Sequence, residues 1–255
     1  RGLPTPVGQP MNPTTTPAQL PPTLPSLATA YRALVVGATG AIGAALVAQL
    51  QADPRCAAVC ALSRRSNPAI DFAAPDSIAA AAQALRAQGP WHLIVVATGM
   101  LTGPTSGPEK RLAELNATHM AASFATNTIG PALVLAHFAP LLAKGERSLL
   151  AVLSAKVGSI GDNRLGGWYS YRASKAALNM LLKTASIEVA RTHPQAVLAA
   201  LHPGTVNSAL SAPFRGAEIG RPPTEAARDL LAVLDTLQPA DSGGFWAYDG
   251  QRLPW

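Results

Sequence analysis

The sequence predicts a doubly wound α/β fold, a parallel sheet with helices on both faces. Three observations predict it. Short apolar and β-branched runs alternate with segments of helical spacing along most of the chain. Those runs are apolar at consecutive positions, the pattern of strands covered on both faces. The first of them, Tyr31-Arg32-Ala33-Leu34-Val35-Val36, passes through Gly37-Ala38-Thr39-Gly40-Ala41-Ile42-Gly43 into a helical stretch over 44–51. That is a strand, a glycine-rich turn and a helix.

Each element follows in order. The glycines permit a tight bend, close approach of a pyrophosphate to the backbone and close packing of helix on strand, and the helix N-terminus presents free N–H donors. Residues 57–63 read as the second strand and Ile70-Asp71-Phe72 as a short third. The alanine-rich stretch 77–88 reads as a helix, and Leu93-Ile94-Val95-Val96-Ala97 as the fourth strand. Strands five and six fall at 149–154 and 196–201. Between them, residues 173–185 carry Ala, Leu, Met and Lys at helical spacing without Gly or Pro. In such a sheet the ligand lies beyond the carboxyl ends of the strands.

Residues 30–255 read as one domain behind an arm of residues 1–29. The arm holds eight prolines and one charge, Arg1, a composition that favours an extended chain. It has no uninterrupted apolar stretch of the kind a secretory signal needs. Met11 is a candidate natural start, and the sequence leaves open whether the residues before it are native. At 255 residues, with 48% hydrophobic and 13% charged, the chain can bury a full core. The net charge of +6 comes from scattered basic residues, so nucleic acid is not expected as a partner. No apolar run approaches the roughly 20 residues that span a bilayer, so no membrane is expected either. Cys56 and Cys60 lack the ligand spacing of a zinc site, no metal is expected, and a reducing cytoplasm fits best.

The chemistry begins with Tyr171-Arg172-Ala173-Ser174-Lys175. A phenol and an ammonium four residues apart share one face of a helix. The lysine is expected to stabilise the phenolate and so lower the pKa of Tyr171, making its proton transferable at physiological pH. Tyr169 has no such partner, since Ala173 stands four residues on, and it reads as a packing residue.

With the glycine-rich turn, Asn127-Thr128-Ile129-Gly130-Pro131 and His202-Pro203-Gly204-Thr205-Val206-Asn207-Ser208, this pair resembles the short-chain dehydrogenase/reductase family from about Tyr31 to Trp255. Gly158-Ser159-Ile160-Gly161-Asp162-Asn163, Gly166-Gly167-Trp168-Tyr169 and the ending from Asp241 to Trp255 are similar to its C-factor and sniffer-like carbonyl reductase subgroup. The family turn Gly-x-x-x-Gly-x-Gly appears here as Gly37-x-x-Gly40-x-x-Gly43, its middle glycine moved by one.

The resemblance implies a Rossmann-type fold and hydride transfer between NADP(H) and a small carbonyl compound or alcohol. It makes Tyr171 the acid/base, gives Lys175 a second role in holding the nicotinamide ribose, and has Asn127 keep a proton-relaying water. It assigns Gly37, Thr39, Gly40, Ala41, Ile42 and Gly43 to the pyrophosphate turn. Where an acid would bind the ribose of NAD stands Ser63, followed by Arg64 and Arg65, which can neutralise a 2′-phosphate; NADP(H) is therefore favoured. Asp71, with Phe72, falls at the adenine, and Ala97, Thr98 and Gly99 follow strand four. Pro203, Gly204, Val206 and Ser208 fall over the nicotinamide. A homodimer or homotetramer is expected through the helices carrying Asn127 and Lys175, because residues 176–182 form a nearly all-round apolar stretch.

Two departures stand out. The usual Asn-Asn-Ala-Gly is replaced by Val96-Ala97-Thr98-Gly99, and the usual catalytic serine falls on Ala155. Ser154 is adjacent but should point to the opposite face; Ser159 is the expected replacement donor, with Tyr169 or a backbone N–H left open. Residues 209–221, with Phe214 and Arg215, should form a lid that selects no substrate class. Two other functions compete: a dinucleotide-binding signalling protein with little turnover, and an epimerase or dehydratase of the same fold.

Overall fold

The structure, a computed structural model, describes residues 24–103 and 107–255. Six parallel strands form one sheet in the order β2-β1-β3-β4-β5-β6: β1 (Tyr31–Val36), β2 (Cys56–Leu62), β3 (Leu93–Val96), β4 (Ser148–Leu153), β5 (Ala196–His202) and β6 (Gly244–Ala247). The helices are α1 (Ala41–Ala52), α2 (Asp76–Leu85), α3 (Ala117–Phe124), α4 (Gly130–Phe138), α5 (Tyr169–Val189), α6 (Gly216–Ile219) and α7 (Pro223–Thr236).

Because β1, β3, β4 and β5 are buried almost throughout, each contributes side chains to two cores. On one face Leu34, Val36, Ile94 and Leu150 meet Ile78 of α2, Phe138 of α4 and Leu182 of α5. On the other, Val35, Leu93 and Ala151 meet Leu46 of α1 and Leu230 of α7. Truncating a fully buried residue such as Leu182 to alanine costs about 2–5 kcal/mol. From β1 the chain moves outward to β2 and then back across to β3. The crevice where it reverses opens at the carboxyl ends of β1 and β3, where such folds bind ligands.

The expected third strand at Ile70-Asp71-Phe72 is not formed. Ile70 N donates to Ser63 O at 3.0 Å, but Asp71 then turns: its Oδ1 accepts Ala73 N, and Ser77 Oγ accepts Asp71 N. Side-chain bonds to the local backbone thus displace a ladder. The sixth strand is instead Gly244–Ala247, paired with β5. Of the arm expected over 1–29, residues 1–23 lie outside the described residues. At its end Leu24 and Leu27 are buried in the α1–α7 core, with Arg55 Nη2 donating to Leu27 O at 2.7 Å.

Candidate active site

Gly37 ends β1 at φ +85°, and a Cβ there would lie 2.9 Å from Thr98 Cγ2; a side chain is excluded on both counts. A Cβ on Gly43 would fall 2.1 Å from Gly37 O, so α1 rests directly on the turn. Gly40 supplies no side-chain cap to α1. The first-turn N–H groups at Ala41 and Ile42, with exposed Thr39 beside them and buried Gly43 behind, are therefore left without a side-chain cap at the end of the helix that favours an anion.

Leu62 O accepts both Gly37 N (2.9 Å) and Ala38 N (3.1 Å), which ties the end of β2 to the turn and brings Ser63, Arg64 and Arg65 alongside it. Ser63 Oγ accepts Arg65 N at 3.1 Å. Both arginines are exposed, and neither forms an ion pair among the described residues. Asp71 sits in its turn, while Phe72 packs on the start of α4, where a Cβ on Gly130 would come 2.1 Å from its ring. Ala97, Thr98 and Gly99 leave β3 at the same edge. Thr98 Oγ1 is buried with no hydrogen-bond partner among the described residues. Pro203 and Gly204 leave β5, Val206 pairs with Arg221, and Ser208 Oγ lies 3.2 Å from Ser211 Oγ. An uncapped helix start, a buried hydroxyl without a partner and two free cations form a donor set that fits an anionic dinucleotide.

Across the crevice α5 carries Tyr171 and Lys175, 8% and 2% exposed. Lys175 Nζ donates to Leu153 O at 2.7 Å and lies 5.9 Å from the centre of the Tyr171 ring. Burial pushes Tyr171 up to about 12 and Lys175 down to about 8. This corrects the expectation that the lysine lowers the phenol: with both groups out of water, desolvation of each charged form outweighs their attraction. The phenol is held protonated.

Between α3 and α4 the helix widens into a five-residue π turn, Ala125–Ile129. Pro131 lacks the N–H that a regular α-helix would direct at Asn127 O, which accounts for the widening. Asn127, fully buried there, accepts Met100 N at 2.8 Å and donates to Met100 O (2.7 Å) and Ser174 Oγ (3.1 Å). A Cβ on Gly99 would lie 3.8 Å from Lys175 Nζ and 3.9 Å from Asn127 Oδ1. The end of β3 thus meets Lys175 and Asn127 in one place.

Ala155 packs with Leu101 and Tyr171 in a small apolar cluster completed by Val157, Trp168, Leu210 and Phe214. Trp168 stands edge-on to Tyr171, with ring centres 6.2 Å apart, and tilts onto Phe214 at 5.1 Å. Ser154 Oγ donates to Asn179 Oδ1 at 2.7 Å, facing α5. Ser159 is 2% exposed, and its Oγ accepts Asp162 N at 3.1 Å. Sequence reasoning missed Leu101 and Trp168. Trp168 lies in the run Gly166-Gly167-Trp168-Tyr169, but its orientation comes from a left-handed backbone that no local pattern signals, and nothing in the sequence around Leu101 marks it.

The topology, the glycine-rich turn at its switch point and the buried tyrosine–lysine pair define a dinucleotide-binding α/β oxidoreductase fold. Residues 31–218 match the short chain dehydrogenase family, and the chain belongs to it. It is 34% identical over 169 residues to C-signal of Myxococcus xanthus, covering 62% of this chain and 98% of that protein. To 1-hydroxy-2-glutathionyl-2-methyl-3-butene dehydrogenase of Rhodococcus sp. (strain AD45) it is 38% identical over 129 residues, 51% of this chain and 55% of that relative, so it aligns with about half the relative's length. NADPH bound carbonyl reductase from chicken fatty liver superposes with a TM-score of 0.74 at 25% identity, over 89% of this chain and 100% of that one. Among the described residues no helix is long and apolar enough to cross a membrane, and no group of His, Cys, Asp and Glu could hold a metal ion.

Proposed function

We propose that the protein is an NADP(H)-dependent carbonyl reductase, interconverting a small carbonyl compound and its alcohol. The observation that carries this reading is the meeting of Tyr171, Lys175, Asn127 and the end of β3 at the mouth of the crevice. The dinucleotide supplies the hydride when bound. Tyr171, kept protonated by burial, donates its proton to the carbonyl oxygen as negative charge develops there. Lys175 holds the nicotinamide ribose, and Asn127 orders the Met100 backbone and keeps a water that relays protons. Arg64 and Arg65 bind the 2′-phosphate, and Ser159 is the second donor to the reacting oxygen. Asp71 and Phe72 border the adenine, and the segment Pro203, Gly204, Val206 and Ser208 covers the nicotinamide. The wall of Leu101, Val157, Trp168, Leu210 and Phe214 favours a carbonyl with apolar substituents.

Two free cysteines support a reducing cytoplasm as its location. Exposed Ile129, Met180, Leu181 and Ile187 support a homodimer or homotetramer through the α3–α4 and α5 faces. A second reading is favoured by Ala155 beside Tyr171 and by the likeness to C-signal: a dinucleotide-binding signalling protein with little turnover. A spectrophotometric screen of NADPH consumption against aldehydes, ketones and quinones decides between them. Consumption with an apolar carbonyl is the expected result; tight NADPH binding with no carbonyl reduced selects the signalling reading.

A further inference from the structure

Helix α5 carries both Tyr171 and Lys175, yet it begins without a cap of its own. Its N-cap residue, Trp168, has φ 54° and ψ 42°, a left-handed backbone, and offers no side-chain hydrogen bond. A bulky residue rarely holds that conformation unless its surroundings impose it. The indole is flanked by Tyr171 and Phe214, and the polar contacts at this helix start come from Glu109, in the segment between β3 and α3. Its main-chain O accepts Trp168 N at 2.5 Å, its Oε2 accepts Ser170 N at 3.1 Å, and its Oε1 accepts the Ser170 hydroxyl. The side chain is buried, at 4% exposure.

Behind Glu109 stands His119, with Nε2 at 3.9 Å from Oε1 and both ring nitrogens buried without a hydrogen-bond partner among the described residues. Burial by itself would raise the Glu109 carboxyl, but the Ser170 hydrogen bonds and His119 outweigh it and hold it below the ordinary carboxylate value. A carboxylate is also the charge that a helix N-terminus favours.

We propose that Glu109 is a positioning residue: from outside the helix it fixes the first turn of α5, and thereby holds the Trp168 indole against Phe214 as the wall beside Tyr171. The proposal rests on the reductase reading above. Glu109 holds the start of the helix carrying Tyr171 through its main-chain O and its buried side chain, so losing that side chain loosens the substrate wall and leaves the dinucleotide turn at Gly37 untouched.

The test compares Glu109→Ala, Glu109→Gln, Trp168→Ala and the double variant Glu109→Ala/Trp168→Ala, measuring kcat, KM for an apolar aldehyde, NADPH Kd, and hydrogen exchange at the Trp168 and Ser170 amides. Glu109→Ala is expected to lower kcat/KM about tenfold or more, the scale of one lost charged hydrogen bond, with NADPH Kd unchanged. Glu109→Gln can accept from Ser170 N and donate to Ser170 Oγ, and is expected to recover most of that loss. The double variant is expected to lose no more than the worse single one, because both act through the same wall. Parent-like kcat/KM in Glu109→Ala, additive losses in the double variant, or a parallel loss of NADPH affinity overturns the proposal.

Should Glu109→Ala fail to fold, Ser170→Ala takes its place, with a smaller loss in kcat/KM expected and parent-like kinetics counting against. Should the parent reduce no carbonyl compound, it is the reductase reading that fails. The positioning claim is then decided by exchange alone: the Ser170 amide, whose acceptor is the Glu109 side chain, must exchange faster than in the parent in Glu109→Ala and stay protected in Glu109→Gln, and unchanged exchange there in Glu109→Ala overturns it.

Discussion

Lys175 Nζ comes within 5.9 Å of the centre of the Tyr171 ring, yet the hydrogen bond it makes, at 2.7 Å, is to Leu153 O at the end of β4. The ammonium is thus anchored to the sheet, and its effect on the phenol is through space. In the dry space between α5 and β4 each group pays for its own charge, which is why the tyrosine titrates high and the lysine low.

The pH dependence follows from that pair. Lys175 releases its proton near about 8 in the folded protein, against 10.5 for an unperturbed lysine. Between those values the unfolded chain binds more protons, so stability rises with pH across that window; below it the cost of the buried charge is fully present. Activity should move the other way. As pH rises through about 8, kcat/KM for reduction falls, because the charge that holds the ribose is lost. Urea denaturation and initial rates across the window check both slopes. Lys175→Met should flatten the stability rise, and a parent profile with activity and stability rising together would exclude this assignment.

Cofactor choice is the second expectation. Arg64 and Arg65 are exposed beside the glycine-rich turn, and among the described residues neither forms an ion pair. NADPH should therefore bind at least about tenfold more tightly than NADH, since a charge-assisted contact is worth about 1.5–3 kcal/mol. Arg64→Asp should erase the preference. Fluorescence titration with both dinucleotides measures it, and an unchanged ratio removes Arg64 from the role.

Tyr171→Phe should abolish turnover and leave NADPH affinity nearly unchanged, because it removes only the transferable proton. Tyr169→Phe should do little. Single-turnover rates and dinucleotide titration on both variants distinguish them; the reverse outcome would put the acid one half-turn away from Lys175.

How far the sequence could be read depends on what each element needs. The strands at Tyr31–Val36 and Leu93–Val96 declare themselves by continuous apolar residues, because both faces are covered. Ile70 to Phe72 looked like a strand by composition, but Asp71 and Ser77 bond to the local backbone instead. Gly244–Ala247 is too short to announce itself and becomes a strand only through pairing with β5. At the site, the spacing of Tyr171 and Lys175 was legible and the direction of the phenol's shift was not. Spacing lies in the chain, whereas desolvation depends on Leu101 and Ala155 arriving from elsewhere.

Assembly is the fourth expectation. Met180 and Lys183 of α5 line an apolar groove with Gly158, Ile160 and Trp255, and Ile187 is exposed further along the same helix. Light scattering at micromolar concentration should show a dimer or tetramer, and Met180→Glu should shift it toward monomer. A parent that is monomeric there refutes the pairing.

The last expectation concerns the second donor to the reacting oxygen. Ala155 packs against Tyr171, at the position on which the resemblance puts the family's serine. Ser154, just past the end of β4, is committed elsewhere, since its hydroxyl donates to Asn179 Oδ1 on α5. Ser159 follows in the next turn, buried, and it accepts Asp162 N, while its own proton has no acceptor among the described residues. Removing one such donor typically lowers turnover by about 10²–10³. Ser159→Ala should therefore reduce kcat strongly with KM little changed, and Ser154→Ala should not. Ala155→Ser in the Ser159→Ala background should restore part of the loss, because it returns a hydroxyl to the wall that touches Tyr171. Steady-state kinetics on the three variants check this. If Ser159→Ala is as active as the parent and Ala155→Ser alone raises kcat, Tyr171 has been working without a second side-chain donor, and the missing hydroxyl is what limits the rate.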